Sequence, residues 1–264
     1  MVIISVDGVT FSYRSGRVLD GIDLDLSGPG ITSIIGPNGV GKSTLLHCMN
    51  RLVQPGSGTV MVDGKDVSDL SLRELARTMG YVPYSSRPDF PLTVLDTVVM
   101  GRHPYSRVGS VREDVRAAHA VLLEMGVDDL AFRPMSELSA GQRQKVMLAR
   151  GIVQDPRVLL LDEPTANLDI RHQMEVTAML RDLCADRGMC VVMVSHDLNI
   201  AAKYSDTVVL MHRGRIHAAG TPSEVLTPDN LRTVYGVDAD VVDHRGRPYV
   251  MLNEPVVDYE RDLG

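Results

Sequence analysis

One run of residues constrains this chain more than any other: Gly36-Pro37-Asn38-Gly39-Val40-Gly41-Lys42-Ser43-Thr44. It follows Ile31–Ile35, a short apolar stretch that reads as a buried strand, and it opens Lys42–Arg51, which reads as a helix. A strand, a glycine-rich turn and a helix in that order place a row of backbone N–H groups at the positive end of the helix, where an anion is stabilised. The run has the form G-x-x-x-x-G-K-[ST]. In that form Gly36, Gly39 and Gly41, with Pro37 and Asn38 between them, let the backbone turn inward on phosphate oxygens. Lys42 reaches the terminal phosphates, the Ser43 hydroxyl binds Mg²⁺, and Thr44 completes the cradle. The expected ligand is therefore a nucleoside triphosphate with Mg²⁺.

The rest of the composition narrows the class. At 264 residues the chain is long enough for one large domain or two intimate ones, and 44% hydrophobic with 23% charged residues is ordinary for a globular protein. The longest strongly apolar runs, such as Cys190–Val194 and Val158–Leu161, fall far short of the roughly 20 residues that span a bilayer. No basic-then-apolar leader opens the sequence, so a soluble protein inside the cell is expected. Cys48, Cys184 and Cys190 have neither C-x-x-C nor zinc spacing and read as reduced core thiols. A net charge of −7 argues against nucleic acid as a partner, because phosphate neutralisation needs clustered cations. The sequence has only four lysines (Lys42, Lys65, Lys145 and Lys203), and one of them stands where the phosphate cradle needs it.

Periodicity organises the chain. Ile3–Tyr13 and Val18–Leu26 alternate apolar and polar residues around turn signals, the period-two mark of antiparallel strands. Thr59–Val62 and Met79–Val82 read as further strands, separated by a helix opening at Ser71 with Glu74 in capping-box position. Beyond that point lies a segment rich in Pro, Ser and Arg over Pro83–Arg107, followed by helical patterns at Val111–Met125 and Ala140–Gln154. From Val158 a β-α-β rhythm returns: strand Val158–Leu161, helix Ile170–Arg187, strand Cys190–Val194, helix Leu198–Tyr204, strand Thr207–Met211. The arrangement predicts an α/β fold with a mainly parallel sheet core (about 1–83 and 158–220), an antiparallel β part, and an inserted helical subdomain (about 84–157). A small appendage (about 221–264) closes the chain, expected to pack on the sheet. His212 and His217 flank Arg213-Gly214-Arg215 and read as a hairpin turn.

Val158-Leu159-Leu160-Leu161-Asp162-Glu163 supplies the second half of a phosphate site. Its four apolar residues bury a strand, and the two carboxylates emerge at the carboxyl end, where open α/β sheets bind ligands. Asp162 is expected to hold the Mg²⁺ as well, through a water. Glu163 is placed to take a proton from an attacking water.

These features alone leave kinases, GTPases, helicases and transporters open. Leu138-Ser139-Ala140-Gly141-Gln142, opening a helix about twenty residues before Asp162, narrows the choice. Read locally, Ser139 with Gln142 is an N-cap with a capping box whose free N–H groups and hydroxyl suit a γ-phosphate. The run resembles the signature motif of ATP-binding cassette (ABC) ATPases, with Ala140 in place of the more frequent Gly. The resemblance extends in order over nearly the whole chain. It assigns Tyr13 to adenine stacking, Ala166-Asn167-Leu168-Asp169 to the loop along the dimer seam, and His196 of Ser195-His196-Asp197 to the γ-phosphate and attacking water. It implies a P-loop NTPase of ABC type, catalytic residues Lys42, Glu163 and His196, and nucleotide contacts that include Ser139, Gly141 and Gln142.

The resemblance also implies a head-to-tail homodimer in which each ATP lies between one subunit's Gly36–Thr44 loop and the other's Ser139–Gln142 helix end. Tyr84 departs from it: Gln is usual there, and a phenol is a poorer Mg²⁺ ligand than an amide carbonyl, so Ser85, Ser86 or a water would have to substitute. The segment Pro88–Val94 with Gly101-Arg102-His103-Pro104-Tyr105 reads as an apolar, Pro-rich loop that receives a partner's helix. It resembles that of cassettes serving iron–siderophore, haem or cobalamin importers. The implied partners are two transmembrane permease subunits and an external substrate-binding protein, with this chain on the cytoplasmic face of the membrane. Another transporter, or a soluble ABC ATPase of translation or repair, would share the ATP motifs. A small-molecule kinase would share only the phosphate loop.

Overall fold

The computed structural model describes residues 3–84, 92–105 and 111–256. Its centre is a six-stranded sheet in the order β10-β9-β3-β8-β7-β6. These strands are β3 (Gly30–Ile35), β6 (Met79–Val82), β7 (Val158–Asp162), β8 (Cys190–Val194), β9 (Thr207–His212) and β10 (Arg215–Gly220). All neighbouring pairs are parallel except the β9–β10 hairpin, which turns at the residues between His212 and His217. A second, antiparallel sheet runs β2-β1-β4-β5, from β1 (Ile3–Tyr13), β2 (Gly16–Ser27), β4 (Ser57–Val62) and β5 (Lys65–Asp66).

Residue alternation along β7 shows why both faces of the central sheet are covered. Val158 and Leu160 pack toward α1 (Lys42–Met49) and the antiparallel sheet. Leu159 and Leu161 face the other way, into a cluster built from α3 (Val94–Met100), α4 (Val111–Glu124), α5 (Ala140–Ile152) and α6 (Ile170–Arg187). Each of these fully buried side chains contributes about 1.5–3 kcal/mol relative to exposure. A strand buried on both faces needs the unbroken apolar run that the sequence shows. Helix α2 (Leu72–Thr78) precedes β6 and carries the capping box expected of Ser71 and Glu74.

Two regions differ from the sequence reading or add to it. The stretch read as a Pro-rich loop contains a helix, α3. Thr93 and Asp96 cap it reciprocally, and Val94 and Val98 bury its inner face. The prolines Pro88 and Pro91 upstream, together with Ser85 and Ser86, lie outside the described residues. The Gly101–Tyr105 turn is tied down from within: Arg102 pairs with Asp114 at 3.1 Å and stacks on the Tyr105 ring, and Arg77 donates to the Pro104 carbonyl. At the far end, α7 (Leu198–Tyr204) is followed after the β9–β10 hairpin by α8 (Pro222–Val225), α9 (Pro228–Tyr235) and the hairpin β11 (Val237–His244) with β12 (Arg247–Pro255). Ala239 and Val250 of this hairpin join Ile35, Val208 and Leu210 of the sheet in one buried cluster. The three cysteines are buried and unpaired. Among the described residues, no helix is long and apolar enough to cross a membrane.

Candidate active site

Sheet register gathers the site. Ile34 of β3, Val194 of β8 and Asp162 of β7 stand in one line across three neighbouring parallel strands. The residues just beyond that line are the Gly36 turn, Ser195-His196 and Glu163, so the expected phosphate loop, carboxylates and histidine emerge together at the carboxyl edge.

The turn into α1 uses glycine where nothing else fits. Gly41 has φ +105°, and a Cβ there would lie 2.7 Å from Leu19; Gly36 has φ +147°, and a Cβ would lie 2.4 Å from the Met211 carbonyl oxygen. The N-terminus of α1 differs from those of most of the longer helices. Side chains cap α2, α3, α5, α6, α7 and α9, whereas Gly41 gives α1 no side-chain cap. Its first N–H groups are left for a ligand, with no acidic residue in the first turn to compete.

Lys42 is buried and donates from Nζ to the Gly36 and Pro37 carbonyls, each at 2.8 Å, inside the cradle. Burial holds its ammonium below the usual lysine range, and the nearby Glu163 and Asp162 carboxylates oppose that shift. An ammonium so placed gains a strong partner when a polyanion replaces the carbonyls.

Ser43 Oγ donates to Asp162 Oδ1 at 2.8 Å. Asp162 is buried, and its carboxyl is raised above the usual range chiefly by desolvation, with the Ser43 hydrogen bond pulling the other way. One hydroxyl and one buried carboxylate are hard oxygen donors, and such a pair fits Mg²⁺, which takes few protein ligands and completes its shell with phosphate oxygens and water. Behind them His47 Nε2 and the Tyr81 hydroxyl are 3.0 Å apart, and burial next to Asp162 pushes the Tyr81 phenol up to about 12. The sequence reading missed this pair. The spacing of His47 one helical turn after Ser43 was the available signal.

Glu163 occupies the left-handed region at φ +51°, unusual for a residue with a side chain, so the chain turns sharply straight after Asp162. Its Oε1 lies 2.5 Å from His196 Nε2. Ser195 anchors the histidine's strand end by donating its backbone N–H to the Ile34 carbonyl. Tyr13, half-exposed at the end of β1, stacks edge-on against Phe11 at 4.8 Å. Tyr13, Asn38, Gly39, Gly41, Lys42, Ser43, Thr44, Glu163 and His196 line one open cleft of about 330 Å³. Val18, not expected from the sequence, lines it too.

Among the expected residues, Gly36, Pro37 and Asp162 stand beside the cleft without lining it, the first two accepting from the Lys42 ammonium and the third bonded to Ser43, and two further groups lie apart from it. Tyr84 follows β6, and its hydroxyl accepts a hydrogen bond from Asn167 Nδ2 at 2.9 Å. Asn167 sits at φ +60° in the loop after Glu163. Ser139, Gly141 and Gln142 stand at the head of α5, where the capping box forms as expected: Gln142 N donates to Ser139 Oγ at 3.2 Å, and Ser139 N donates to Gln142 Oε1 at 3.0 Å. They are absent from the cleft lining in their own chain. Gly141 has a local reason to be glycine, since a Cβ would lie 2.4 Å from the His172 ring, which Asp169 holds at 2.8 Å.

A mainly parallel sheet that places a phosphate cradle, a buried aspartate, a glutamate and a histidine along one edge defines a nucleotide-hydrolysing P-loop protein. Comparison with known proteins takes this further. The family model described as ABC transporter matches residues 19–166. An uncharacterized ABC transporter ATP-binding protein of Methanocaldococcus jannaschii is 41% identical over 95% of this chain and 98% of its own. A hemin import ATP-binding protein of Bordetella pertussis is 40% identical over 92% and 96%. An iron(3+)-hydroxamate import ATP-binding protein of Bacillus subtilis is 36% identical over 98% of each chain. Among solved structures, an inward-facing, putative metal-chelate type ABC transporter superposes with a TM-score of 0.83 at 27% identity, covering 96% of this chain and 98% of that one. The chain belongs to the ABC transporter ATP-binding family: it binds ATP and is an ATPase of the kind coupled to transport.

Proposed function

We propose that this chain is the ATP-hydrolysing subunit of an importer for an iron–siderophore, haem or cobalamin-type compound. In this reading it works as a homodimer against two transmembrane permease subunits, peripheral to the cytoplasmic face of the membrane, and an external binding protein delivers cargo to the permease. Its Bordetella and Bacillus relatives, named for the import of hemin and of iron(3+)-hydroxamate, support the haem and iron–siderophore part of that cargo class. The inserted helical region, about 84–157, is the surface that meets the permease.

The observation that carries the mechanism is the half-built cleft. Lys42, Ser43, Glu163 and His196 line it and Asp162 is bonded to Ser43 beside it, while Ser139–Gln142 stand elsewhere in the same chain. A second copy, related by a two-fold axis, would bring its Ser139–Gln142 end to each cleft, giving two equivalent sites. ATP entering the cleft lies with adenine on Tyr13 and its phosphates on the Gly36–Thr44 backbone. Lys42 then exchanges the Gly36 and Pro37 carbonyls for phosphate oxygens. Bound at Ser43 and Asp162, Mg²⁺ would neutralise charge on the phosphates. Glu163 accepts the proton of the attacking water, and His196, held on Glu163, fixes where that water sits. The partner's Ser139 and helix N-terminus stabilise the γ-phosphate as charge develops.

Copurification tests the transport reading. Tagged protein recovered from gently solubilised membranes is expected to carry a polytopic permease whose cargo is an iron chelate, haem or a corrinoid. Recovery with ribosomes or DNA-repair proteins and no permease would contradict it.

A further inference from the structure

His196 is followed at once by Asp197, whose carboxylate caps α7 by accepting the N–H groups of Asn199 (2.8 Å) and Ile200 (2.9 Å). The same Asn199 turns its side chain outward onto the C-terminal hairpin. Its Nδ2 donates to the Val250 carbonyl at 3.1 Å, and its Oδ1 accepts the Val250 N–H at 2.8 Å. One amide thus makes both strand-type hydrogen bonds of Val250, a residue that is itself buried. At the other end of α7, Arg247 of β12 donates from Nη1 to the Ser205 carbonyl at 2.6 Å, and Ser205 in turn donates to the buried Ser33 hydroxyl of β3 at 2.7 Å. The hairpin therefore grips both ends of the helix that begins next to His196. A groove of about 700 Å³ is lined by His196 and Leu198 together with Tyr249 and Met251 of β12, so the histidine borders open space on its hairpin side.

We infer that Asn199 is a positioning residue for ATP hydrolysis: by tying α7 to Val250 of the C-terminal hairpin, it fixes where His196 stands relative to Glu163. Along the backbone His196 is fastened on one side by Ser195, whose N–H goes to Ile34, and on the other by the Asp197–Asn199 turn, while its ring meets Glu163. Releasing Asn199 frees that second anchor without touching the phosphate loop. The C-terminal hairpin, which contributes no group to the ATP cleft, thereby becomes part of the hydrolytic machinery. The inference rests on the reading that His196 orders the attacking water.

The test is a double-mutant cycle on the full-length protein, with ATP turnover and nucleotide affinity measured for each member. Asn199→Ala is expected to lower kcat about ten-fold while leaving KM for ATP and fluorescent-nucleotide affinity within about two-fold, because misplacement costs rate and not binding. In a His196→Ala background the same substitution should cost nothing further. Asn199→Asp, which keeps the acceptor for the Val250 N–H and loses the donor, should fall between wild type and Asn199→Ala. A kcat unchanged by Asn199→Ala against an impaired His196→Ala would overturn the inference alone, as would an equal loss in both backgrounds. A His196→Ala protein that turns over normally would overturn the histidine reading first and the inference with it. Unfolding of Asn199→Ala would show as lost nucleotide binding, and Arg247→Ala then carries the test: its expected effect is a smaller kcat loss with KM held, and an unchanged kcat would overturn the inference.

Discussion

Ser43 and Asp162 are 119 residues apart in sequence and joined by a 2.8 Å hydrogen bond. The bond closes the gap between the head of α1 and the end of β7, and so it sets two oxygen donors side by side at the proposed Mg²⁺ position. Substituting Asp162 by Asn removes the charge that this pair offers a divalent cation while preserving its shape. Mg²⁺-dependent ATP turnover is expected to fall by about 10²-fold or more, with nucleotide binding in the absence of Mg²⁺ little changed. Steady-state rates and nucleotide titrations with and without Mg²⁺ measure this, and an equal loss of binding under both conditions would count against the assignment.

Glu163→Gln is expected to keep ATP affinity and to lower hydrolysis by about 10²–10⁴-fold, the usual worth of a general base. The same variant should accumulate as an ATP-bound dimer in size-exclusion chromatography. Normal hydrolysis would remove Glu163 from the proton-transfer role.

The Tyr84 hydroxyl accepts a hydrogen bond from Asn167, at the position where the sequence resemblance expects Gln. Tyr84→Gln restores a neutral oxygen donor and is expected to raise the Mg²⁺-dependent rate by about three-fold. A rate no higher than wild type shows that the phenol costs the site nothing.

Gly141→Ala places a methyl group 2.4 Å from the His172 ring, which Asp169 holds in place. The expected cost is about 1–3 kcal/mol of stability, read as a fall in Tm. The double variant Gly141→Ala/His172→Ala should recover most of it. No fall in the single variant would mean that the ring can move aside.

Burial pushes the Cys48 and Cys190 thiols up to about 11 and the Cys184 thiol up to about 12. A raised thiol pKa favours the neutral form in the fold, so its contribution to stability is intact below pH 9 and is lost as pH rises through 11. At pH 8 only about a thousandth of Cys48 or Cys190 is thiolate, against about a tenth for an ordinary thiol. Thiol-reactive dye should therefore label none of the three in native protein and all three after denaturation.

Much of the molecule could be read from local pattern. The bounds Ile170–Arg187 of α6 and Leu198–Tyr204 of α7 agree with the apolar periodicity and the Asp caps before them. The uninterrupted apolar strands β7 and β8 announced a sheet covered on both faces. What stayed hidden has no local signature. Helix α3 was masked by the prolines beside it, although Thr93 and Asp96 already spelled a capping box. The C-terminal pairing of β11 with β12, the grip of Asn199 on Val250 and the crowding of Gly141 by His172 are contacts between distant segments, which periodicity cannot register. The cleft residues were legible because phosphate chemistry demands a fixed local spacing; Val18 and the His47–Tyr81 pair entered only through packing.

The most direct test mixes two disabled chains. Lys42→Ala spoils the phosphate loop and Ser139→Ala the helix end offered to the neighbour, and each alone should be nearly inactive. Mixed one to one, half the dimers pair unlike chains, and each of those has one intact site, so about a quarter of the wild-type ATP turnover should return. A mixture no more active than either parent, or full turnover by wild-type protein held monomeric at high dilution, would contradict a site shared between two copies.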